Sequence, residues 1–205
     1  MRAEETFRHL LEARVPEYCL EKLLHYAEEL ERWSRVQSLV RYRSRRELVE
    51  RHLLESLSPL SRLPQKGSLL DIGSGAGFPG IPLLCALPQW QGVLLEPRSK
   101  KWAFLRQMIR ELDLAADARC EPYQTHRGGS YSAILSRALA GHLEMTRWSR
   151  GRLAPGGSLF FWATEREETL LRGLSAWNVL GFPIDGLGRG RLIEAKKKPG
   201  PAGKS

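Results

Sequence analysis

The sequence predicts an α/β protein: a doubly wound, mostly parallel sheet preceded by a helical N-terminal extension. Three observations predict it. Up to about residue 66, apolar side chains recur at helical spacing only. From Ser68 onward, short apolar runs alternate with helical stretches, the pattern of a parallel sheet covered on both faces. The first of those runs leads into a loop with glycines at positions 73, 75, 77 and 80.

The extension is assigned to residues 1–66. Tyr18, Leu20, Leu23, Leu24, Ala27, Leu30 and Trp33 mark one apolar helix face, and Pro16 suits its first turn. A second helix is expected over Arg45 to Leu60, with Val49, Leu53, Leu57 and Leu60 on one face and Pro64 beyond its end. The sheet domain is assigned to residues 67–196. Its expected strands are Ser68–Ile72, Gly92–Glu96, Ala118–Glu121, Ser132–Ser136 and Ser158–Trp162. The expected helices between them are Gly80–Leu87, Lys100–Leu112 and Gly141–Leu153, and Glu165–Trp177 follows the last strand. Two more strands, Asn178–Ile184 and Arg191–Lys196, are joined by a short glycine-rich turn and should be antiparallel. Residues 197–205 are basic and rich in proline and glycine, so a disordered tail is expected.

Composition narrows the classes. The 205 residues fit one ordinary domain with an appendage, or two very small domains. The longest apolar run, Ile81 to Leu87, has seven residues against the roughly 20 of a spanning helix. No apolar signal region opens the chain, and a cytoplasmic location is expected. Cys19, Cys85 and Cys120 are far apart and form no Cys-x-x-Cys pair, so neither a metal site nor a disulfide framework is expected. Each is read as a buried free thiol. The net charge of +9 favours a polyanionic partner, nucleic acid first. Positions 32 to 51 hold seven arginines against two glutamates. They read either as a phosphate-contacting patch or as a solvated helix face. The acid-free run Arg98, Lys100, Lys101, Arg106 and Arg110 offers further phosphate contacts, with a solvated face an equal reading for the last two.

The chemistry concentrates in Asp71-Ile72-Gly73-Ser74-Gly75-Ala76-Gly77-Phe78-Pro79-Gly80. A ligand approaching the backbone at the end of a first strand requires that side chains be removed there. The amides of the following helix then face it. Gly75 to Gly80 matches the dinucleotide fingerprint G-x-G-x-x-G, but Asp71 with glycines at 73, 75 and 77 matches the loop of S-adenosylmethionine-dependent methyltransferases. The aspartate favours the second: a carboxylate repels a pyrophosphate but assists an ammonium, directly or through water. Glu96 ends the second strand, 19 residues after Gly77, where an acid holds the ribose hydroxyls of an adenosine cofactor of either kind. The turn Leu153-Ala154-Pro155-Gly156-Gly157 before the fifth strand is also typical of methyltransferases.

With these residues in view, the chain resembles the ribosomal RNA small subunit methyltransferase G family, also called glucose-inhibited division protein B. The closest stretch is Asp71 to Leu83, where Gly77-Phe78-Pro79-Gly80-Ile81-Pro82 is more specific than the glycines alone. Further matches are Arg51-His52 with Glu55-Ser56, Lys100 to Gln107, and Ser136-Arg137-Ala138. The resemblance implies a Rossmann-like class I methyltransferase fold and S-adenosylmethionine as cofactor. It also implies methyl transfer to N7 of one guanine in 16S rRNA, with the small ribosomal subunit as partner and no membrane or metal. A monomer is expected. It places Asp71, Gly73, Ser74, Gly75, Gly77, Phe78, Glu96, Gln124, Thr125 and Arg137 around the cofactor, with Arg137 also beside the reacting centre. N7 bears a free lone pair, so no general base is required and positioning carries the catalysis. Arg137 contacts O6, a phosphate or the cofactor pocket in this reading, or else pairs a local carboxylate. The chain departs from the family pattern at Gln37-Ser38-Leu39, Glu55, Tyr123-Gln124-Thr125, Ala163-Thr164 and Gly190-Arg191-Leu192. Those departures leave two alternatives open: a methyltransferase with another substrate, and a non-catalytic RNA-binding or ribosome assembly factor.

Overall fold

The structure is a computed structural model, and it describes residues 6–137, 141–184 and 190–198. Strands β1 (Gly67–Ile72), β2 (Trp90–Leu95), β3 (Ala116–Arg119), β4 (Tyr131–Arg137), β5 (Leu153–Thr164), β6 (Trp177–Pro183) and β7 (Gly190–Lys197) form one sheet. Its order is β3-β2-β1-β4-β5-β7-β6. The pairs β1–β2, β1–β4, β2–β3 and β4–β5 are parallel, while β7 pairs antiparallel with both β5 and β6. The expected antiparallel end is therefore present, with β7 inserted between its neighbours.

Alternation along β1 sends Leu69 to one face and Leu70 to the other, into separate apolar cores. The second core packs under helices α6 (His142–Ser149) and α7 (Glu165–Arg172). The first core includes side chains of α1 (Phe7–Leu11), α2 (Glu17–Val36), α4 (Gly80–Ala86) and α5 (Ser99–Glu111). Leu23, Tyr26 and Leu30 of α2 are fully buried there beside Leu69, Ile81 and Phe104. The extension thus shares its core with the sheet. Thr164 opens α7 with a capping box, its side chain and that of Glu167 satisfying each other's backbone N–H groups.

Several boundaries differ from expectation. The second expected helix is α3 (Arg45–Leu48) continued by a π-helix over Val49–Leu54, and a short 3-10 turn, Leu60–Arg62, follows. Helix α6 ends at Ser149, and β5 starts at Leu153, so the proline-glycine turn lies inside β5, beside a register shift against β4. Helix α7 ends at Arg172 and Trp177 already belongs to β6. Lys197 ends β7, and the Lys198 N–H donates to Ala176 O, so the expected tail does not begin at Lys197; positions 199–205 lie outside the described residues. Cys19 and Cys85 are buried free thiols, but Cys120 is exposed, because it leaves β3 at the open edge of the sheet. No helix among the described residues is long and apolar enough to cross a membrane.

Candidate active site

The strand order reverses between β1 and β4, which opens a crevice at their carboxyl ends. Strand β1 delivers the glycine loop there, β2 delivers Glu96, and β4 delivers Arg137. Gly73, Gly75 and Gly77 have φ of 70°, 59° and 107°. Residues with a Cβ rarely adopt such φ values, and glycine does so at no steric cost.

Four ties hold the loop. Glu96, almost fully buried, accepts from Gly75 N–H with Oε2 and from Arg98 N–H with Oε1, both at 2.9 Å. The Ser74 N–H donates to Leu95 O at 2.9 Å. Asp71 Oδ2 accepts from Gly80 N–H at 3.1 Å. From the extension, the buried Tyr26 hydroxyl donates to Ala76 O at 2.7 Å, and its ring packs on Phe78 and Phe104. Tyr26→Phe therefore leaves a buried carbonyl without its partner, at a cost of about 1–3 kcal/mol. The expected outcome is a lower melting temperature together with weaker cofactor binding; an unchanged cofactor affinity in calorimetric titration would detach Tyr26 from the site.

Above the loop lies a cavity of about 410 Å³, within the usual size of small-molecule sites. Gly73, Ser74, Gly75, Phe78, Glu96 and Arg137 line it, together with Leu39, Val40 and His52 from the extension. Lys101 and Arg98 complete one wall. Four residues expected at the cofactor do not line it. Asp71 and Gly77 lie beneath the loop: Asp71 is fully buried, and a Cβ on Gly77 would meet Ile81 and Tyr26. Gln124 and Thr125 are exposed in the turn after β3, where the Thr125 hydroxyl donates to Pro122 O instead.

Leu39, Val40 and Tyr26 were invisible to a reading based on the loop. Tyr26 had a signal, since it stands three residues after Leu23 and four before Leu30 on the apolar face of α2. Leu39 entered only through the family departure at Gln37-Ser38-Leu39 and Val40 not at all, because both follow a helix end in an irregular segment.

Arg137 is engaged by the extension. Nη2 donates to Glu55 Oε2 at 2.8 Å and to Arg51 O, and Nη1 to His52 O at 3.2 Å and Ser56 Oγ at 3.3 Å. The structure thus shows the carboxylate-pairing arrangement of the two read from the sequence, although Arg137 also borders the cavity. Burial pushes the Glu55 carboxyl up to about 7, against the opposing charges of Arg137 and Arg51. Burial, with the Arg137 charge, pushes His52 down to about 4, so its ring is neutral at pH 7. Burial likewise lifts Asp71 to about 7.

The arginine-rich segment is mostly neutralised. Arg32 pairs with Glu29, Arg35 and Arg45 with Glu31, Arg46 with Glu50, and Arg51 with Glu47. The glutamates of α2 and of the π-helix region do this, which the local charge count could not foresee. Arg98, Lys100 and Lys101 carry no ion pair among the described residues, and they border the cavity or the groove beside it. A second cavity of about 630 Å³ lies past Glu55, where Arg14, Glu47, Glu50 and Arg51 offset one another's charge. His25, Glu29 and Glu111 bring donor atoms within 4.8 Å of one another. Those atoms are already committed, His25 to Glu111 and Glu29 to Arg32 and Gln107.

A sheet of this order, opened by an acid-led glycine loop, is the frame of a class I S-adenosylmethionine-dependent methyltransferase. A solved S-adenosylmethionine-dependent methyltransferase from Aquifex aeolicus shares it, with a TM-score of 0.60 at 14% identity over 73% of this chain and 92% of that one. The family model for rRNA small subunit methyltransferase G matches residues 19–179, and the chain belongs to that family. A relative of that name from Halorhodospira halophila is 35% identical over 184 residues, covering 86% of this chain and 88% of its own. Another, from Laribacter hongkongensis, is 37% identical over 139 residues; that match covers 66% of this chain and spans 66%, just under two thirds, of the relative's length.

The cavity fits the cofactor of the class. Asp71 Oδ1 is buried without a hydrogen-bond partner among the described residues, and an ammonium or a bridging water satisfies such an oxygen. Glu96 has a carboxylate at the cavity wall for ribose hydroxyls, and Gly75 leaves open space beside the backbone, with nothing nearer than 3.8 Å to a Cβ placed there.

Proposed function

We propose that this chain transfers a methyl group from S-adenosylmethionine to N7 of a guanine in 16S rRNA, acting on the small ribosomal subunit as a cytoplasmic monomer. The family match laid over the loop cavity carries this reading. S-adenosylmethionine supplies a methyl on a sulfonium: the N7 lone pair forms the new N–C bond, the S–C bond breaks with its electron pair kept on sulfur, and no proton moves. The chain's residues therefore bind and align rather than exchange protons. Gly73, Ser74 and Gly75 present bare backbone, and Glu96 holds the ribose. His52, Phe78 and Arg137 border the end of the cavity nearest β4. Arg98, Lys100 and Lys101, which have no ion pair among the described residues, supply cations for RNA phosphates beside the mouth.

Mass-spectrometric mapping of small-subunit rRNA, with and without this gene, tests the reading. One N7-methylguanine is expected in the first sample and absent from the second. A protein that binds S-adenosylmethionine and RNA yet leaves both samples identical would instead be an assembly factor.

A further inference from the structure

We propose that His52 is the side chain that meets the target base and that Arg137 is the positioning residue that holds it there. The inference rests on the methyl-transfer reading above and adds to it which groups touch substrate.

His52 stands on the π-helix Val49–Leu54. Such turns are rare and recur at functional sites. Two strand tips grip this segment. Arg137 at the end of β4 takes the Arg51 and His52 carbonyls, the Ser56 hydroxyl and the Glu55 carboxylate. Trp162 of β5 donates its indole N–H to Glu55 O at 3.1 Å. A guanidinium has five N–H groups, and four of those on Arg137 are spent here. Its side chain is only 14% exposed. Arg137 therefore has little left for a substrate, while everything it holds lies at or beside His52.

The His52 ring lines the cavity, with its centroid 5.2 Å from that of Phe78. Burial and the Arg137 charge outweigh the opposing influence of the Arg41 backbone and keep the ring neutral. A neutral imidazole carries one nitrogen as a donor and the other as a lone-pair acceptor. Guanine offers ring and amino N–H donors to such an acceptor. A neutral ring also adds no positive charge beside a reaction that moves a positive charge from sulfur to the base.

Single-turnover transfer of labelled methyl to small-subunit particles lacking the modification tests this. Cofactor affinity and melting temperature are measured in parallel. His52→Ala is expected to slow transfer roughly tenfold, the loss of one hydrogen bond, with cofactor affinity nearly unchanged. His52→Asn or His52→Gln, which keep an acceptor, should recover part of the rate. The paired change Arg137→Gln with Glu55→Gln removes the clamp without leaving a buried charge alone. It should slow transfer in the wild-type background and add almost nothing once His52 is alanine. Losses that multiply would put Arg137 on the substrate itself and overturn the assignment. Normal transfer by His52→Ala would overturn it as well. If the paired variant melts below the assay temperature, the His52 series decides alone. A wild-type protein that transfers no methyl overturns both this inference and the function it rests on, whereas normal wild-type transfer with an inert His52 overturns this one only.

Discussion

Replacing Gly77 by alanine is expected to lower the melting temperature by roughly 10 °C and to abolish measurable S-adenosylmethionine binding. Gly77 has φ of 107°, and a Cβ built there lies 2.6 Å from Ile81 Cδ1 and 2.8 Å from the Tyr26 hydroxyl. Backbone strain in the left-handed region costs about 1–2 kcal/mol. Forcing a methyl into a packed core adds about 1–3 kcal/mol. For a chain of this size each kcal/mol moves the midpoint by about 2–4 °C. Relief of the clash displaces Tyr26, and with it the tie to Ala76 O that holds the loop. Gly75→Ala is the comparison. It has open space around its Cβ, so only the strain remains and the melting temperature should fall by a few degrees at most. Differential scanning calorimetry of both variants is the measurement. A Gly77→Ala protein that melts like wild type would show that the loop is not packed against α2 as described.

A chain starting at Gly67 is expected to show no cooperative thermal transition and no cofactor binding, although it keeps every glycine of the loop. Leu23, Tyr26, Leu30, Leu48 and Leu53 of the extension are fully buried in the core that also contains Leu69, Ile81 and Phe104. Burying each large apolar side chain stabilises by about 1.5–3 kcal/mol. Five of them equal the whole net stability of an ordinary domain, about 5–15 kcal/mol. The truncation also strips Arg137 of Glu55 and removes Leu39, Val40 and His52 from the cavity. Circular dichroism through a thermal ramp, with calorimetric titration of S-adenosylmethionine, checks both halves. A sharp transition in the shortened chain would make the extension a separate domain.

The sequence by itself determined the fold class and the cofactor loop, because both are written in local signals. Period-2 and period-3.6 apolar patterns placed the elements, and glycines at alternate positions after a strand have few purpose-free explanations. Glu96 was legible for the same reason, since its distance from the loop follows from one strand–helix–strand unit. Element ends were less legible. The helix expected over Arg45 to Leu60 becomes a π-helix at Val49, and the change of register there depends on donors from Arg137 and Ser56, the first of them more than 80 residues away.

What each charged or polar side chain does was decided only by the tertiary structure. Asp71, expected to assist an ammonium directly or through water, is fully buried under the loop, with Oδ2 bonded to Gly80 N–H and Oδ1 without a partner among the described residues. Gln124 and Thr125 were placed at the cofactor by the family resemblance, and both side chains are exposed in the turn after β3. The arginines at 32 to 51 read either as a phosphate-contacting patch or as a solvated helix face, and Glu29 and Glu31 on α2 with Glu47 and Glu50 beside the π-helix take up five of the seven. The partners of Arg137 were set by the fold, since Glu55 and His52 reach it from an element that sequence order puts far away. A periodicity is a property of neighbours along the chain, whereas a charge is defined by what stands within a few ångströms of it, and only folding brings those groups together.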